Sequence, residues 1–201
     1  PIQWIPKNPR WQNYVDIWTQ IPLLTFVKNT VKITVVVTLL QLFTSSFAAY
    51  AFAKMQFKGK NALFLGYIAT IAVPWQAYMV PQFMMMSSWH LNNTHLAIMC
   101  LQAFSAFGVF LMKQFYEGVP TELCEAARID GLSEYGIWWH IMLPLSLPAL
   151  STLTIFTFVN TWNDFLGPLI YLTKTELKTI QIGLRMFITQ YSAEYGLIMA
   201  A

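Results

Sequence analysis

The sequence predicts an all-α, polytopic membrane protein, a bundle of transmembrane helices, and three observations carry that prediction. Only 10% of the 201 residues are charged, against about 25% in a soluble domain. Hydrophobic residues make up 56% and aromatic residues 16%. No Asp, Glu, Lys or Arg occurs from Asn61 to Met112, a run of 52 residues. A spanning helix needs about 20 apolar residues to cross about 30 Å of hydrocarbon, so this run has room for two spans and a polar turn. The net charge of +3 is small and dispersed, without the Lys/Arg cluster that tracks phosphates, which argues against a nucleic-acid partner.

Taken in order, residues 1–25 combine Pro6, Pro9 and Pro22 with Trp4, Trp11, Trp18 and Tyr14. Proline interrupts helices and Trp and Tyr favour the bilayer interface, so this is an interfacial flank. The first span is Phe26 to Ala53, entered past Lys28 and Lys32, which can snorkel to the headgroups. Its small residues Ser45, Ser46, Ala48, Ala49 and Ala51 admit a close neighbour. A loop with Lys54, Lys58 and Lys60 follows. The second span, 63–86, contains Pro74 and Pro81, and a kink facing protein or a water-filled path is expected there. After the polar turn 87–95 come a third span, 96–115, a charged segment at 116–144, and a fourth span, 145–166. Residues 167–194 are mixed and polar. A last span starts near Tyr195 and is cut off, so the sequence reads as a fragment trimmed at both ends. Lys and Arg divide evenly between the two sets of loops, and only the lysine loop at 54–60 favours a cytoplasmic face.

The charged segment holds five of the nine acidic residues: Glu117, Glu122, Glu125, Asp130 and Glu134. It reads as two short helices. Pro120 suits a first helical position and Glu122 the positive end of the helix dipole. Gly131 ends the first helix in a left-handed conformation, Ser133 caps the second, Pro144 stops it and Pro148 opens the next span. Ala126 and Ala127 leave a smooth surface for a partner's groove, with Glu125, Arg128 and Asp130 at its rim. The plain alternative is an amphipathic connector lying in the interface.

Glu125-Ala126-Ala127, three residues, Gly131, nine residues, then Ile141-x-Leu143-Pro144 resembles the EAA motif of ABC importer permeases at full spacing. "WIPKNP…NY", "SSFAAYAFAKMQFKGK" and "TWNDFLGPLIYL" are similar to the smaller permease subunit of maltose-type, carbohydrate importers. The likeness covers nearly the whole chain, and the family's first span, most of its last span and its cytoplasmic tail are missing. The resemblance implies a helical bundle of the type I ABC importer permease kind in the cytoplasmic (inner) membrane of a prokaryote. It also implies that the segment is a coupling helix docking on a dimer of ATPase subunits, which bind the ATP and Mg. Glu125, Ala126, Ala127 and Gly131 match the motif's core, and Ile141, Leu143 and Pro144 its tail. A second, homologous permease and an extracytoplasmic solute-binding protein are the other implied partners. Residues 54–61 and 113–144 would then lie inside, and 1–25, 87–95 and 167–194 outside.

The chain has no G-x-x-x-x-G-K-[ST] of its own, so it is not expected to be an enzyme or to bind a cofactor. His90, His95 and His140 form no ligand cluster, and Cys100 and Cys124 stand too far apart for a disulfide. Asn160, Trp162, Asn163 and Asp164 close the fourth span. An ionisable group near membrane depth suggests a translocation path, and a helix anchor at the interface accounts for Asp164 slightly better, because it stands near a span end. Gln76, Tyr78 and Gln82 around the prolines supply the polar groups and aromatic faces that sugars need, and polar interhelix packing explains them too. A secondary transporter or channel without an ATPase would show inverted repeats and mid-span charges; the sequence shows neither. A membrane-embedded enzyme would need paired catalytic residues, and none are present.

Overall fold

A computed structural model describes residues 11–190 and Met199, and every regular element among them is helical. A short helix α1 (Asn13–Gln20) leads into the long α2 (Leu23–Lys54). Pro22 stands immediately before α2, and Met55 is extended at its end. Its 32 residues reach about 48 Å at 1.5 Å per residue. The helix therefore exceeds the predicted 26–53 span at both ends. Its buried side mixes Thr30, Thr34, Thr38, Ser45 and Ser46 with Phe26, Ile33, Val37 and Ala49, while Val31, Val35, Leu39, Phe43 and Phe47 are exposed. Small and polar residues inside and large apolar ones outside suit a helix whose outer solvent is lipid, where helices associate through small and polar residues.

The predicted 63–86 span is not one helix. It divides into α3 (Lys60–Ala69), single 3-10 turns at Thr70–Ala72 and Trp75–Ala77, and α4 (Met79–Ser88). Pro74 is the cause. The residue before a proline is driven to extended backbone, and Val73 adopts φ −86°, ψ 113°. Pro81 breaks nothing because it is the third residue of α4, where an N–H would have no intrahelical acceptor anyway.

The third span also differs from expectation. It is α5 (His95–Gln102) followed by α6 (Ala106–Glu117), interrupted at residues 103–105. Side chains of α2 satisfy the freed carbonyls: Gln41 Nε2 donates to Gln102 O at 2.7 Å and Thr44 Oγ1 to Ala103 O at 2.7 Å. Ser105 then caps α6, its Oγ accepting from Gly108 N.

The charged segment forms α7 (Glu122–Ile129), α8 (Glu134–Ile137), a wide π turn at Trp138–Met142 and α9 (Leu143–Leu145). Pro120 lies before α7 rather than in it, and Glu122 opens the helix. Pro144 does not stop the second helix. The π turn just before it accommodates a residue with no N–H to give, and the chain bends instead at the buried Ser146, by 79°, into α10 (Leu147–Trp162). After α10 come α11 (Leu166–Tyr171), a 3-10 turn at Thr175–Leu177 and α12 (Ile180–Gln190). The proline-rich start and the predicted last span from Tyr195 lie outside the described residues, apart from Met199.

Among the described residues, Leu23–Lys54 and His95–Glu117 are long and apolar enough to cross a membrane, and the bent pair Glu134–Leu145 with Leu147–Trp162 passes the same test jointly. α2 is the central post. α6 approaches it at Gly108, where a Cβ would overlap Ser45 Oγ. The loops collect at two ends. At one, Lys54 donates to Val119 O and Lys113 lies 4.3 Å from the centre of the Phe64 ring. At the other, Asn93 Oδ1 accepts from Thr173 N, Thr173 Oγ1 and Lys174 N, and Asn29 Nδ2 donates to Glu176 O and Lys178 O.

Candidate functional site

Two places in the fold hold the residues singled out by sequence. The first is α7 to α9, at the Lys54 end. α7 terminates in a Schellman motif: Gly131 N donates to Arg128 O and Leu132 N to Ala127 O, with Gly131 left-handed at φ 85°. Nothing lies within 4 Å of a Cβ placed on Gly131, so glycine is required there by backbone conformation, not by space. Ser133 caps α8, its Oγ accepting from Gly136 N.

The two alanines face opposite ways. Ala127, only 5% exposed, packs with Cys124, Trp138 and Met142 in the core beneath α7. Ala126 is exposed beside Glu122, Glu125 and Asp130. The outward face also carries Ile129, 87% exposed, with Leu123. The smooth surface expected from paired alanines is thus built from Ala126 with Leu123 and Ile129, and Ala127 belongs to the inside. Of the motif's tail, Ile141 and Leu143 are half-buried and Pro144 is exposed.

Arg128 is engaged within the chain. Its Nε donates to Glu134 Oε1 at 2.7 Å and its Nη2 to Glu134 Oε2 at 3.2 Å. Glu134 Oε2 also accepts from the hydroxyl of the buried Tyr50 on α2. The Arg128 bond first, and the Tyr50 bond second, hold the Glu134 carboxyl below its usual range, and the same pairing raises Arg128 above its own. Burial pushes the neighbouring Cys124 thiol up, as expected of a packed rather than reactive cysteine. Trp138, fully buried, meets Phe43 and Phe47 of α2 edge-on at 5.5 and 5.2 Å. The segment is therefore fastened to α2 by the Tyr50–Glu134 hydrogen bond, which the Arg128 pair holds in place, and by one aromatic cluster.

The second place is a cavity of about 720 Å³ beside the middle of α2. Tyr78, Gln82, Asn160, Asn163 and Asp164 all line it, whereas Gln76 and Trp162 do not. Trp75 is in the wall instead of Gln76, and its Nε1 donates to Gln82 Oε1 at 2.8 Å. Asp164 is held on both oxygens: Oδ2 accepts from Gln102 Nε2 at 2.7 Å and Oδ1 from Gly167 N at 3.2 Å. Gln41, which caps Gln102 O, accepts from Thr157 Oγ1 at 3.0 Å. A polar chain thus runs Thr157–Gln41–Gln102–Asp164–Gly167 along the wall and joins α2, α5, α10 and α11.

Gln41 and Gln102 are the residues that sequence reading passed over. Their signal was present, since each is a lone amide within an apolar run, and a polar group at membrane depth has to find a partner. The aromatic wall of Phe104, Phe107 and Phe156 carried no comparable signal, because phenylalanines are ordinary in a span. No group of three or more His, Cys, Asp or Glu suited to a metal occurs among the described residues.

Residues 41–201 match the family described as binding-protein-dependent transport system inner membrane component. The chain is 37% identical over 196 residues to the arabinooligosaccharides transport system permease protein AraQ of Halalkalibacterium halodurans, an alignment covering 97% of this chain and 70% of that protein. It is 35% identical over 189 residues to the lactose transport system permease protein LacG of Rhizobium radiobacter, covering 94% and 69% respectively. The fold is shared with a solved bacterial ABC transporter involved in the import of the acidic polysaccharide alginate. The TM-score is 0.88 at 24% identity, over 98% of this chain and 75% of that one.

Proposed function

We propose, from the premise that this chain belongs to the binding-protein-dependent transport system inner membrane components, that it passes a sugar or oligosaccharide across a prokaryotic cytoplasmic membrane by alternating access. Relatives named for arabinooligosaccharide and lactose transport support the substrate class. In this reading the chain pairs with a second permease subunit, receives substrate from an extracytoplasmic binding protein, and takes its energy from a dimer of ATPase subunits that hold the ATP and Mg. Residues 54–61 and 113–144 face the cytoplasm.

The observation that carries the reading is the division of α7 into two faces. Cys124 and Ala127 are buried in the chain's own core, while Glu125, Ala126 and Ile129 are exposed on the other side. An exposed apolar residue ringed by charges is the usual make-up of a docking surface. Gly131 sets the angle at which α7 leaves the bundle. Displacement of α7 by a closing ATPase pair would pass through the Arg128–Glu134–Tyr50 clamp to α2 and through the bend at Ser146 to α10. Both helices line the cavity, so a rigid shift there changes which side it opens to.

The test replaces Glu125 with Lys and Ile129 with Asp, singly. Both variants should insert into the membrane at wild-type levels, lose most co-purification with the ATPase, and lose substrate-stimulated ATP hydrolysis. Full co-purification and uptake in both would overturn the docking face.

A further inference from the structure

The cavity wall has a chemical character that goes beyond a path for sugars in general. We infer that it is a subsite for uncharged saccharide, built to stack sugar rings and to give no counter-charge to an acidic one. This rests on the saccharide reading above and deepens it.

The volume, about 720 Å³, falls within the ~300–1,000 Å³ typical of ligand cavities. Among the described residues, its lining contains no Lys, Arg or His. Asp164, the one ionisable carboxyl in it, has both oxygens occupied by Gln102 and Gly167. Gly167 sits so close that a Cβ there would overlap Asp164 Oδ2. Asp164 is therefore a positioning residue that ties α10 and α11 to the broken end of α5.

Amides and aromatic rings are left to meet a ligand. Asn160 is exposed at the wall, whereas the Asn163 amide is engaged within the chain, donating to Val159 O at 2.8 Å and accepting from Gln181 Nε2 at 3.4 Å. The carbonyl oxygen of Gln82 is taken by Trp75, which orients its amide nitrogen as a donor. Phe107 and Phe156 meet edge to face at 5.7 Å, so neighbouring rings present faces at a steep angle. Phe104, 70% exposed, extends the apolar side. Aromatic faces cover the apolar C–H side of a pyranose or furanose ring, and side-chain amides bond its hydroxyls. A uronate would bring a carboxylate to a wall whose described residues offer no positive partner and one carboxyl already in place, and a charge removed from water without a partner is disfavoured. The wall consequently discriminates by charge, in contrast to any site that must take up acidic sugars.

The test uses the complete importer in lipid vesicles, with Cys100→Ser removing the exposed thiol and Leu166→Cys placing a probe at an exposed apolar position of the wall. Uptake of maltotriose, arabinotriose and trigalacturonate is measured in the presence of the binding protein. Labelling at position 166 by an aqueous maleimide is measured without it, so that the binding protein's own selectivity does not enter. The neutral trisaccharide that is taken up should slow labelling at least fivefold, and trigalacturonate should not. Adding Phe156→Ala should raise the half-protecting concentration at least fivefold. Adding Gln82→Lys should let trigalacturonate protect. Uptake without protection, or equal protection by trigalacturonate in the unmodified wall, overturns the inference while leaving the saccharide reading standing. No uptake of any of the three removes that reading and this inference with it.

Discussion

Glu134 shows how much one side chain can do in this fold. It accepts two bonds from Arg128 and one from Tyr50, so it joins α7, α8 and α2. Its carboxyl titrates below the ordinary 4.5. A depressed folded value means the clamp contributes fully above about pH 4.5 and is lost as pH falls through the lower folded value. Melting of the purified protein should therefore show an acid-sensitive component below pH 4.5 that Glu134→Gln removes, with no pH dependence from this group between pH 6 and 8. An unchanged acid profile in the variant would dismiss the clamp. Gly131 makes a separate prediction. With open space around it, Gly131→Ala should cost about 1–2 kcal/mol, the price of a left-handed residue with a Cβ, read as faster hydrogen exchange across 122–137. Gly131→Asn should recover part of that, because Asn tolerates the conformation. Equal behaviour of the two would mean that φ is not what selects glycine.

At the scale of elements, the interruptions matter more than the helices. The break between α5 and α6 leaves two carbonyls facing α2, and Gln41 and Thr44 meet them. Gln41→Leu should cost about 1–3 kcal/mol, the penalty for a buried polar group left unpaired, whereas Gln41→Asn, shorter by one carbon, should restore little. Thermal unfolding in detergent measures both. The contact of α6 with α2 at Gly108 makes a different demand. Gly108→Val pushes a branched side chain into Ser45 and Leu153, and overpacking of this kind costs about 1–3 kcal/mol. The double change Gly108→Ala with Ser45→Gly should be milder than Gly108→Ala alone, because it removes the obstructing hydroxyl. If the pair is no better than the single change, Ser45 is not the obstacle.

For the molecule as a whole, the breaks at Pro74, at residues 103–105 and after Trp162 gather around one cavity beside the middle of α2, while the loops sort to two ends. Lys54, Val119 and Glu134 mark one end; Asn29, Asn93 and Thr173 mark the other. The proposed orientation puts the first end in the cytoplasm. A cysteine introduced by Lys58→Cys should then react only with reagent reaching the cytoplasmic face, and one introduced by Lys174→Cys only from outside, each in a Cys100→Ser background. The reverse pattern would invert the topology and with it the assignment of α7 to an ATPase.

The sequence by itself determined the fold class, the place of α2, the left-handed end of α7 and the cap at Ser133. Each depends on local chemistry: apolar run length, backbone freedom at glycine, and a hydroxyl aimed at its own helix start. It also marked Tyr78, Gln82, Asn160, Asn163 and Asp164, because uncompensated polar groups in an apolar chain stand out. Only the tertiary structure decided which alanine of the pair is buried, that Arg128 turns inward to Glu134, and that Pro144 sits within a helix while Pro74 breaks one. It alone brought Gln41 to Gln102 across 61 residues and set the phenylalanines around a cavity. These outcomes depend on which neighbour fills the other side of each group, and linear spacing holds no record of that neighbour.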